Sequence, residues 1–188
     1  MRITGGSVRG RRLAAFRGLD IRPTSDLVRE AVFDLLGLRS VSEARVLDLF
    51  AGTGSLGIEA LSRGASQAVF VDRSRKAIEI IGKNLKICGL EDSGFALRKD
   101  LADGLPSRHP LFVKRFDLVF LDPPYGKGLI LPLLLELQRE GLLGPAPMVV
   151  AQTEKRQDLP QAMGNLKTAK VRTYGATRIT VLEKEENS

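Results

Sequence analysis

Residues 46–60 read VLDLFAGTGSLGIEA. An apolar strand-like run is followed here by a glycine-rich turn and a helix-like run, and the glycines Gly52, Gly54 and Gly57 form a G-x-G-x-x-G pattern. Such glycines allow a tight turn and a close approach of the backbone to a nucleotide-like ligand. The pattern alone is weak, because NAD, FAD and S-adenosylmethionine (SAM) all bind to loops of this kind.

Outward from this stretch, strand-like and helix-like runs alternate. The strand-like runs are ARVLDLF, QAVFVD, GFALRKD, FDLVFLD and PMVVAQT, followed by KTAKVRTY and TRITVLE. Alternation of this kind predicts an α/β fold, with a mostly parallel sheet of seven strands and helices on both faces. The last two runs are separated only by Gly175-Ala176, which predicts a C-terminal antiparallel hairpin.

The composition limits the classes to which this protein can belong. The chain has 188 residues, a formal net charge of +7 and one cysteine, Cys88. A single cysteine excludes an internal disulfide and a multi-cysteine zinc site, and Cys88 is expected to be a core residue. We expect a cytoplasmic protein, because no secretory signal and no apolar run of membrane-spanning length are present.

The basic excess is concentrated at the N-terminus. Residues 1–30 contain seven arginines and three acids. Arginine presents a planar fork that suits phosphates and base edges, so the cluster favours a nucleic acid partner over a tail that serves only solubility.

Three acids follow successive predicted strands and help to choose the ligand. Asp48 lies four positions before Gly52, where a carboxylate would repel the pyrophosphate of a dinucleotide but could hold the cationic amine of SAM. A cap on loop amides is the structural alternative for Asp48. Asp72 is placed to accept ribose hydroxyls, and Asp100 to accept the adenine amine. Asp72 does not separate SAM from NAD, because both present ribose hydroxyls; Asp48 is the residue that favours SAM.

The tetrapeptide Asp122-Pro123-Pro124-Tyr125 follows the most apolar strand. Two prolines fix the backbone, Tyr125 offers an aromatic face for a planar base, and Asp122 with the Pro123 carbonyl offers acceptors for an exocyclic amine. An amine held in this way can attack the methyl carbon of SAM with positioning alone, so no metal is expected. The structural alternative is a turn stiffened by prolines.

These motifs resemble a known family. DPPY is similar to the motif of amino-methyltransferases that act on adenine N6, cytosine N4 or guanine N2. Together with MRITGGSVRGRRL, RPTSDLVREAVFDLL, VLDLFAGTGSLGIEALSRGA, FVD and FDLVFLDPPY, it resembles the RsmD family, bacterial methyltransferases of guanine N2 in 16S ribosomal RNA. The resemblance implies a Rossmann-like class I methyltransferase fold with a hairpin-like N-terminal extension.

The resemblance also implies roles for individual residues. The catalytic loop is Asp122, Pro123, Pro124 and Tyr125. The residues expected at the cofactor SAM are Asp48, Ala51, Gly52, Thr53, Gly54, Asp72, Arg73, Asp100 and Leu101. The residues expected at RNA are Arg2, Arg9, Arg11, Arg12, Arg22, Thr24 and Arg29. Two positions depart from the family: Asp72 stands where many relatives have Glu, and Gln152 where relatives often have an acid.

The expected domain organisation has two parts. Residues 1–23 form a basic extension, and residues 24–188 form a methyltransferase domain. The partner implied is 16S rRNA, within the 30S subunit or its assembly intermediate, with no membrane and no obligate protein partner. The alternatives are a DNA adenine-N6 methyltransferase, a less favoured protein-glutamine methyltransferase, and a non-catalytic RNA-binding assembly factor. His109 is expected to be a surface residue, and Lys127 could hold a phosphate or be solvated.

Overall fold

The computed structural model describes residues 1–16, 26–124 and 126–185. Its helices are α1 (Asp26–Leu36), α2 (Ser55–Ser62), α3 (Arg75–Cys88) and α4 (Ile130–Arg139). Its strands are β1 (Arg45–Leu49), β2 (Gln67–Asp72), β3 (Gly94–Arg98), β4 (Phe116–Leu121), β5 (Leu143–Glu154), β6 (Ala162–Met163), β7 (Leu166–Tyr174) and β8 (Thr177–Lys184).

These strands form one mostly parallel sheet in the order β3-β2-β1-β4-β5-β8-β7-β6. Strands β1 to β5 are parallel to one another, and β8 pairs antiparallel with both β5 and β7. The predicted α/β class and C-terminal hairpin are therefore confirmed. In the part of the chain that the structure describes, the sheet has eight strands rather than seven, because β6 adds a pair of residues along β7. Two residues are too few to show a periodicity in the sequence.

Two hydrophobic clusters lie on opposite faces of this sheet. One joins β1, β2 and β4 to α1, α2 and α3, and includes Phe33, Ile58, Phe70 and Phe120. The other joins the alternate residues of the same strands to α4 and to the short 3-10 helices at Leu101–Asp103 and Pro110–Phe112. Helices therefore cover both faces, as the strand-helix alternation predicts.

The N-terminal residues form a hairpin that is part of this core. In this N-terminal hairpin, residues 1–14, the Ile3 amide donates to the Arg11 carbonyl and the Leu13 amide donates to the Met1 carbonyl. Ile3 and Leu13 are buried in the cluster on the α1–α3 face. The predicted boundary between residues 1–23 and 24–188 lies outside the described residues.

Within residues 1–16, 26–124 and 126–185, no helix is long and apolar enough to cross a membrane. The same residues contain no group of three or more His, Cys, Asp or Glu side chains placed to hold a metal ion. Cys88 lies in the core at the end of α3, as expected, and burial raises the pKa of its thiol.

Candidate functional site

The predicted ligand-binding acids meet at the carboxyl edge of the parallel strands. Asp48 is opposite Phe70 of β2 and Phe120 of β4, so Asp72 and Asp122 come two residues further along the neighbouring strands. Since side chains alternate between the faces of a sheet, Asp48 and Asp72 project to the face that α1–α3 cover. This edge is where open α/β sheets bind their ligands.

Asp72 holds the glycine loop in place. Its Oδ2 accepts a hydrogen bond from the Gly52 amide at 2.9 Å, and its Oδ1 accepts one from the Ser74 amide at 2.8 Å. One carboxylate thus joins the end of β2 to the turn after β1. The shorter Asp side chain, in place of the Glu of many relatives, is consistent with this direct contact to the loop backbone.

The loop itself has a backbone that requires glycine. Gly52 and Gly54 have φ of 56° and 76°, and Gly54 precedes the first turn of α2. A Cβ on Gly52 would meet only the Phe50 carbonyl oxygen, at 3.9 Å, so the space beside this residue is open. Phe50 also has a positive φ, 62°, which is a strained conformation for a residue with a side chain.

Asp48 lies beneath this loop and is 2 % exposed. Its Oδ2 accepts a hydrogen bond from the Gly57 amide at 3.0 Å, so the capping contact named as the structural alternative for Asp48 is present. Burial raises the pKa of Asp48 well above its ordinary value; the Gly57 bond opposes this, and the carboxylates of Asp122 and Asp72 add to it. Two further carboxylates therefore act on Asp48, and the raised pKa favours its neutral form; a cationic group beside these acids would favour the ionised form.

Other residues expected at SAM lie along the same edge. Ala51 donates its amide to the Val71 carbonyl at 3.1 Å, and Thr53 is largely buried between the two glycines. Leu101 is buried in the cluster under α4.

An open cleft of about 800 Å³ lies beyond the ends of β2 and β3, and it is lined by Arg73, Ser74, Arg75, Arg98, Lys99 and Asp100. Small-molecule sites occupy roughly 300–1,000 Å³. Asp100 accepts a hydrogen bond from the Ala102 amide through Oδ1, and its Oδ2 lies 3.9 Å from the Arg73 guanidinium. The half-exposed Asp100 carboxylate and the open glycine loop are together compatible with a nucleoside that extends from Gly52 to this cleft.

The Asp122-Pro123-Pro124 segment leaves β4 at the same edge. The Asp122 amide is 3.4 Å from the Leu49 carbonyl oxygen, which keeps the segment beside β1. Asp122 is half-buried, Pro123 is buried and Pro124 is exposed. The acid therefore lies where the buried loop meets solvent; Tyr125, the fourth predicted residue, lies outside the described residues.

Four arginines that were expected to contact RNA are exposed on the N-terminal hairpin: Arg2, Arg9, Arg11 and Arg12. Residues 1–16 contain no acid, so this surface is uniformly basic. The other two candidates in this region, Arg22 and Thr24, lie outside the described residues.

Arg29 differs from this group and corrects the expectation made for it. Its side chain has no exposed surface; its Nε donates to Glu59 at 3.1 Å, and one terminal nitrogen donates to Asp26 at 2.9 Å and to the Arg2 carbonyl. RNA cannot reach a guanidinium in that position. Arg29 instead joins α1 to α2 and to the hairpin, because a buried arginine is retained where carboxylates compensate its charge.

Three further residues were singled out in the sequence, and the structure shows the surroundings of each. The His109 Nδ1 accepts the Leu111 amide at 3.2 Å and so caps the short helix that follows it. Lys127 is exposed. Gln152, on β5, is 3 % exposed, and its Nε2 has no hydrogen-bond partner among the described residues.

Two buried polar residues near the site were not predicted from the sequence. Glu59, on α2, is fully buried and accepts bonds from the Thr4 and Gly5 amides, at 2.8 and 2.7 Å. Asn84, on α3, is also fully buried and contacts the glycine loop. Both stand within the buried stripe of their helix, and a polar residue in an apolar stripe is the signal that could have identified them.

Comparison with known proteins agrees with this geometry. A family model described as "Conserved hypothetical protein 95" matches residues 1–183. "Putative rRNA methyltransferase YlbH" of Bacillus subtilis is 38 % identical, over 98 % of this chain and 99 % of that one. "Ribosomal RNA small subunit methyltransferase D" of Escherichia coli is 30 % identical, over 98 % and 90 %.

The solved structure of "Putative methyltransferase yhhF" from Escherichia coli superposes with a TM-score of 0.85, at 30 % identity and over 98 % of both chains. The fold is therefore the Rossmann-like class I methyltransferase fold that the motifs implied. The match over nearly the whole chain, and the identity to these relatives, show that the chain belongs to this family, the RsmD family that its motifs resemble.

Proposed function

We propose that this protein transfers a methyl group from SAM to the exocyclic N2 amine of a guanine in 16S ribosomal RNA of the small subunit. The observation that carries the proposal is the meeting of Asp48, Asp72 and Asp122 beside the glycine loop at one edge of the sheet. The names of the full-length relatives support rRNA as the substrate class. The choice of guanine N2 rests on the resemblance to the RsmD family.

The cofactor end of the site has the donors and acceptors that SAM requires. Gly52 and Gly54 allow the backbone to approach a ligand, and Asp72, already held by the Gly52 amide, has oxygen lone pairs left for ribose hydroxyls. Asp100 lies in the open cleft, within reach of an adenine amine. When bound, SAM supplies a methyl group on a cationic sulfonium, and the carboxylates around Asp48 favour such a cation.

At the substrate end of the site, catalysis is proposed to depend on how the target amine is positioned. The lone pair of a nucleobase amine is delocalised into the ring, so the free amine is a poor nucleophile. Asp122 and the Pro123 carbonyl are proposed to accept its two hydrogens and to direct the lone pair toward the methyl group. The N–C bond would form as the S–C bond of the sulfonium breaks, the product S-adenosylhomocysteine would leave as a neutral thioether, and Asp122 would receive the proton that the amine gives up. Such positioning provides a large share of the rate enhancement in reactions of this type.

The basic surface completes the proposal. Arg2, Arg9, Arg11 and Arg12 are exposed on the N-terminal hairpin and are proposed to bind RNA phosphates. The target guanine must leave its stack before it can reach Asp122, which is the general requirement of enzymes that modify a base.

The test of the reaction uses radiolabelled SAM with 16S RNA, both naked and within 30S particles from a strain that lacks the gene. Mass spectrometry of the digest is expected to find the label in N2-methylguanosine. Asp122→Ala is expected to lower the rate about 100-fold or more while SAM still binds. The matched control is Asp92→Ala, which removes an exposed acid before β3 at the opposite edge of the sheet.

Other outcomes would decide between the alternatives. Label in N6-methyladenosine would retain the enzyme and overturn the choice of guanine. Label in DNA but in neither form of RNA would favour the hypothesis of a DNA adenine-N6 methyltransferase. SAM binding with no transfer to RNA, DNA or protein would favour a non-catalytic assembly factor.

The RNA surface has a separate test. Replacing Arg9, Arg11 and Arg12 with alanine is expected to weaken RNA binding and to flatten its dependence on salt. The log–log slope should fall by about 0.7–0.9 for each phosphate that the protein no longer neutralises. Unchanged affinity and slope in the triple variant would contradict the proposed RNA surface.

A further inference from the structure

Asn84 connects the N-terminal hairpin to the glycine loop. Its Oδ1 accepts a hydrogen bond from the Ala14 amide at 2.7 Å, and its Nδ2 donates to the Ala14 carbonyl at 3.1 Å. The same Nδ2 donates to the Thr53 carbonyl at 2.9 Å. One side chain on α3 therefore joins two segments that are 39 residues apart along the chain.

These bonds use both amide hydrogens of Asn84 and its oxygen. The side chain is fully buried and so is its bond to the Thr53 carbonyl, so this carbonyl would be left without water to replace Asn84 if the bond were lost. Each segment is consequently held in register with the other. A weaker contact lies nearby, where the Thr53 hydroxyl is 3.8 Å from the Met1 sulfur.

Both ends of the connection belong to proposed binding surfaces. Thr53 lies between Gly52 and Gly54, the residues with the left-handed backbone at the cofactor loop. Ala14 lies two residues after Arg12, one of the exposed arginines that are proposed to bind RNA. A restraint on either segment is transmitted to the other through a single amide.

We infer that Asn84 is a positioning residue that links SAM binding to RNA binding, so that each ligand tightens the other. The inference rests on the proposed function. A ligand that orders the glycine loop also orders the hairpin, and the second ligand then binds to a segment that has already lost part of its freedom. Because coupling between two binding sites is reciprocal, the same factor must appear in both affinities.

The experiment measures the affinity for S-adenosylhomocysteine, which cannot react, by calorimetry with and without saturating 16S rRNA transcript. For the wild-type protein, RNA is expected to tighten binding about tenfold, within the usual range of about 5–150-fold for coupled sites. Asn84→Leu nearly conserves volume and removes all three hydrogen bonds, and it is expected to reduce this ratio to about one. Asn84→Ala provides a second variant if the first fails to fold.

Ser62→Ala is the matched control. The Ser62 hydroxyl accepts the Val8 amide at 3.1 Å and donates to the Gly5 carbonyl at 2.6 Å, so it docks the same hairpin through α2. Ser62 is nearly as buried as Asn84, and these two bonds lead to the hairpin rather than to the glycine loop. The variant is expected to have a lower melting temperature, as Asn84→Leu does, but to retain the tenfold ratio.

The outcomes separate this inference from the function on which it rests. A ratio of one in the wild-type protein, with both ligands bound, would overturn the coupling and leave the proposed function intact. A tenfold ratio that persisted in Asn84→Leu would show that Asn84 serves only the stability of the fold. Failure of the wild-type protein to bind S-adenosylhomocysteine, or to bind 16S rRNA both naked and within 30S particles, would overturn the proposed function, and this inference with it.

Discussion

Two carboxylates are buried on the same face of the sheet, and their surroundings differ. Glu59 faces the guanidinium groups of Arg29 and Arg63, at 3.1 and 2.8 Å, and it accepts two backbone amides from the hairpin. Asp48 accepts one amide, that of Gly57, and has further carboxylates for neighbours. Glu59 therefore has two cations beside it, whereas no cationic side chain among residues 1–16, 26–124 and 126–185 pairs with Asp48.

The difference indicates what each acid does. A buried ion that is fully paired holds elements together, and here it joins α1, α2 and the N-terminal hairpin. A buried carboxylate that lacks a cation destabilises the fold, and such groups are found mainly where a ligand or a reaction needs them. Glu59 is therefore a structural centre, and Asp48 is consistent with a site that completes its charge balance on binding a cationic ligand.

The largest expected effect comes from breaking the compensated pair. Arg29→Ala leaves Glu59 buried without one of its cations, and removing one partner of a buried ion pair typically costs about 3–5 kcal/mol. Urea unfolding monitored by circular dichroism measures this loss. Arg75→Ala is the control, because the Arg75–Glu79 pair is also arginine to glutamate but is exposed, and its removal should cost about 0.5 kcal/mol or less. Equal losses in the two variants would contradict the structural role assigned to Glu59.

The next largest effect is a gain in thermal stability, expected for Asp48→Asn, and it depends on pH. Because burial raises the pKa of Asp48, the native state is most stable with Asp48 protonated, and stability declines as pH rises through the raised pKa. Asp48→Asn keeps an oxygen for the Gly57 amide and removes the charge. We expect the variant to melt above wild type at pH 8, by roughly 2–4 °C for each kcal/mol gained, with no difference near pH 3.

SAM binding separates stability from function in that variant. Asp48→Asn should bind SAM more weakly than wild type while it melts at a higher temperature. A variant that was less stable than wild type at pH 8 would show that the charge of Asp48 is compensated after all.

The smallest effect on stability is expected at the third strand-end acid. Asp100 is half-exposed and makes one short cap, to the Ala102 amide, so Asp100→Ala should cost less than about 1 kcal/mol. The loss of one hydrogen bond to adenine, about 1 kcal/mol, should weaken SAM binding about fivefold in calorimetry. Unchanged SAM affinity would show that the adenine binds elsewhere. A large loss of stability would give Asp100 a structural role like that of Glu59.

Much of the architecture could be predicted because it depends on local pattern. β2 occupies residues 67–72, which are the residues of the strand-like run QAVFVD. The glycine loop and the acids at the strand ends follow from the rule that parallel strands present their carboxyl ends at one edge. A motif of this kind contains its own geometric requirement, so the sequence is sufficient to locate it.

The roles of charged residues in the hairpin region were harder to predict. Arg29 stands among seven arginines in the first 30 residues, and composition alone groups it with them. Yet it occupies the same helical stripe as Val32, Phe33 and Leu36, and its carboxylate partner lies 30 residues further along the chain. Only the packing of α1 against α2 decides that this arginine is buried.

The sequence by itself determined the α/β class, the glycine loop, the strand-end acids and the membership of a methyltransferase family, because each depends on residue types at short spacing. The tertiary structure decided which charges are compensated and which segments touch. The Glu59 cluster and the Asn84 connection bring together residues from the N-terminus, α1, α2 and α3. Their energies depend on desolvation and on partners that are remote in sequence, and no local pattern encodes either.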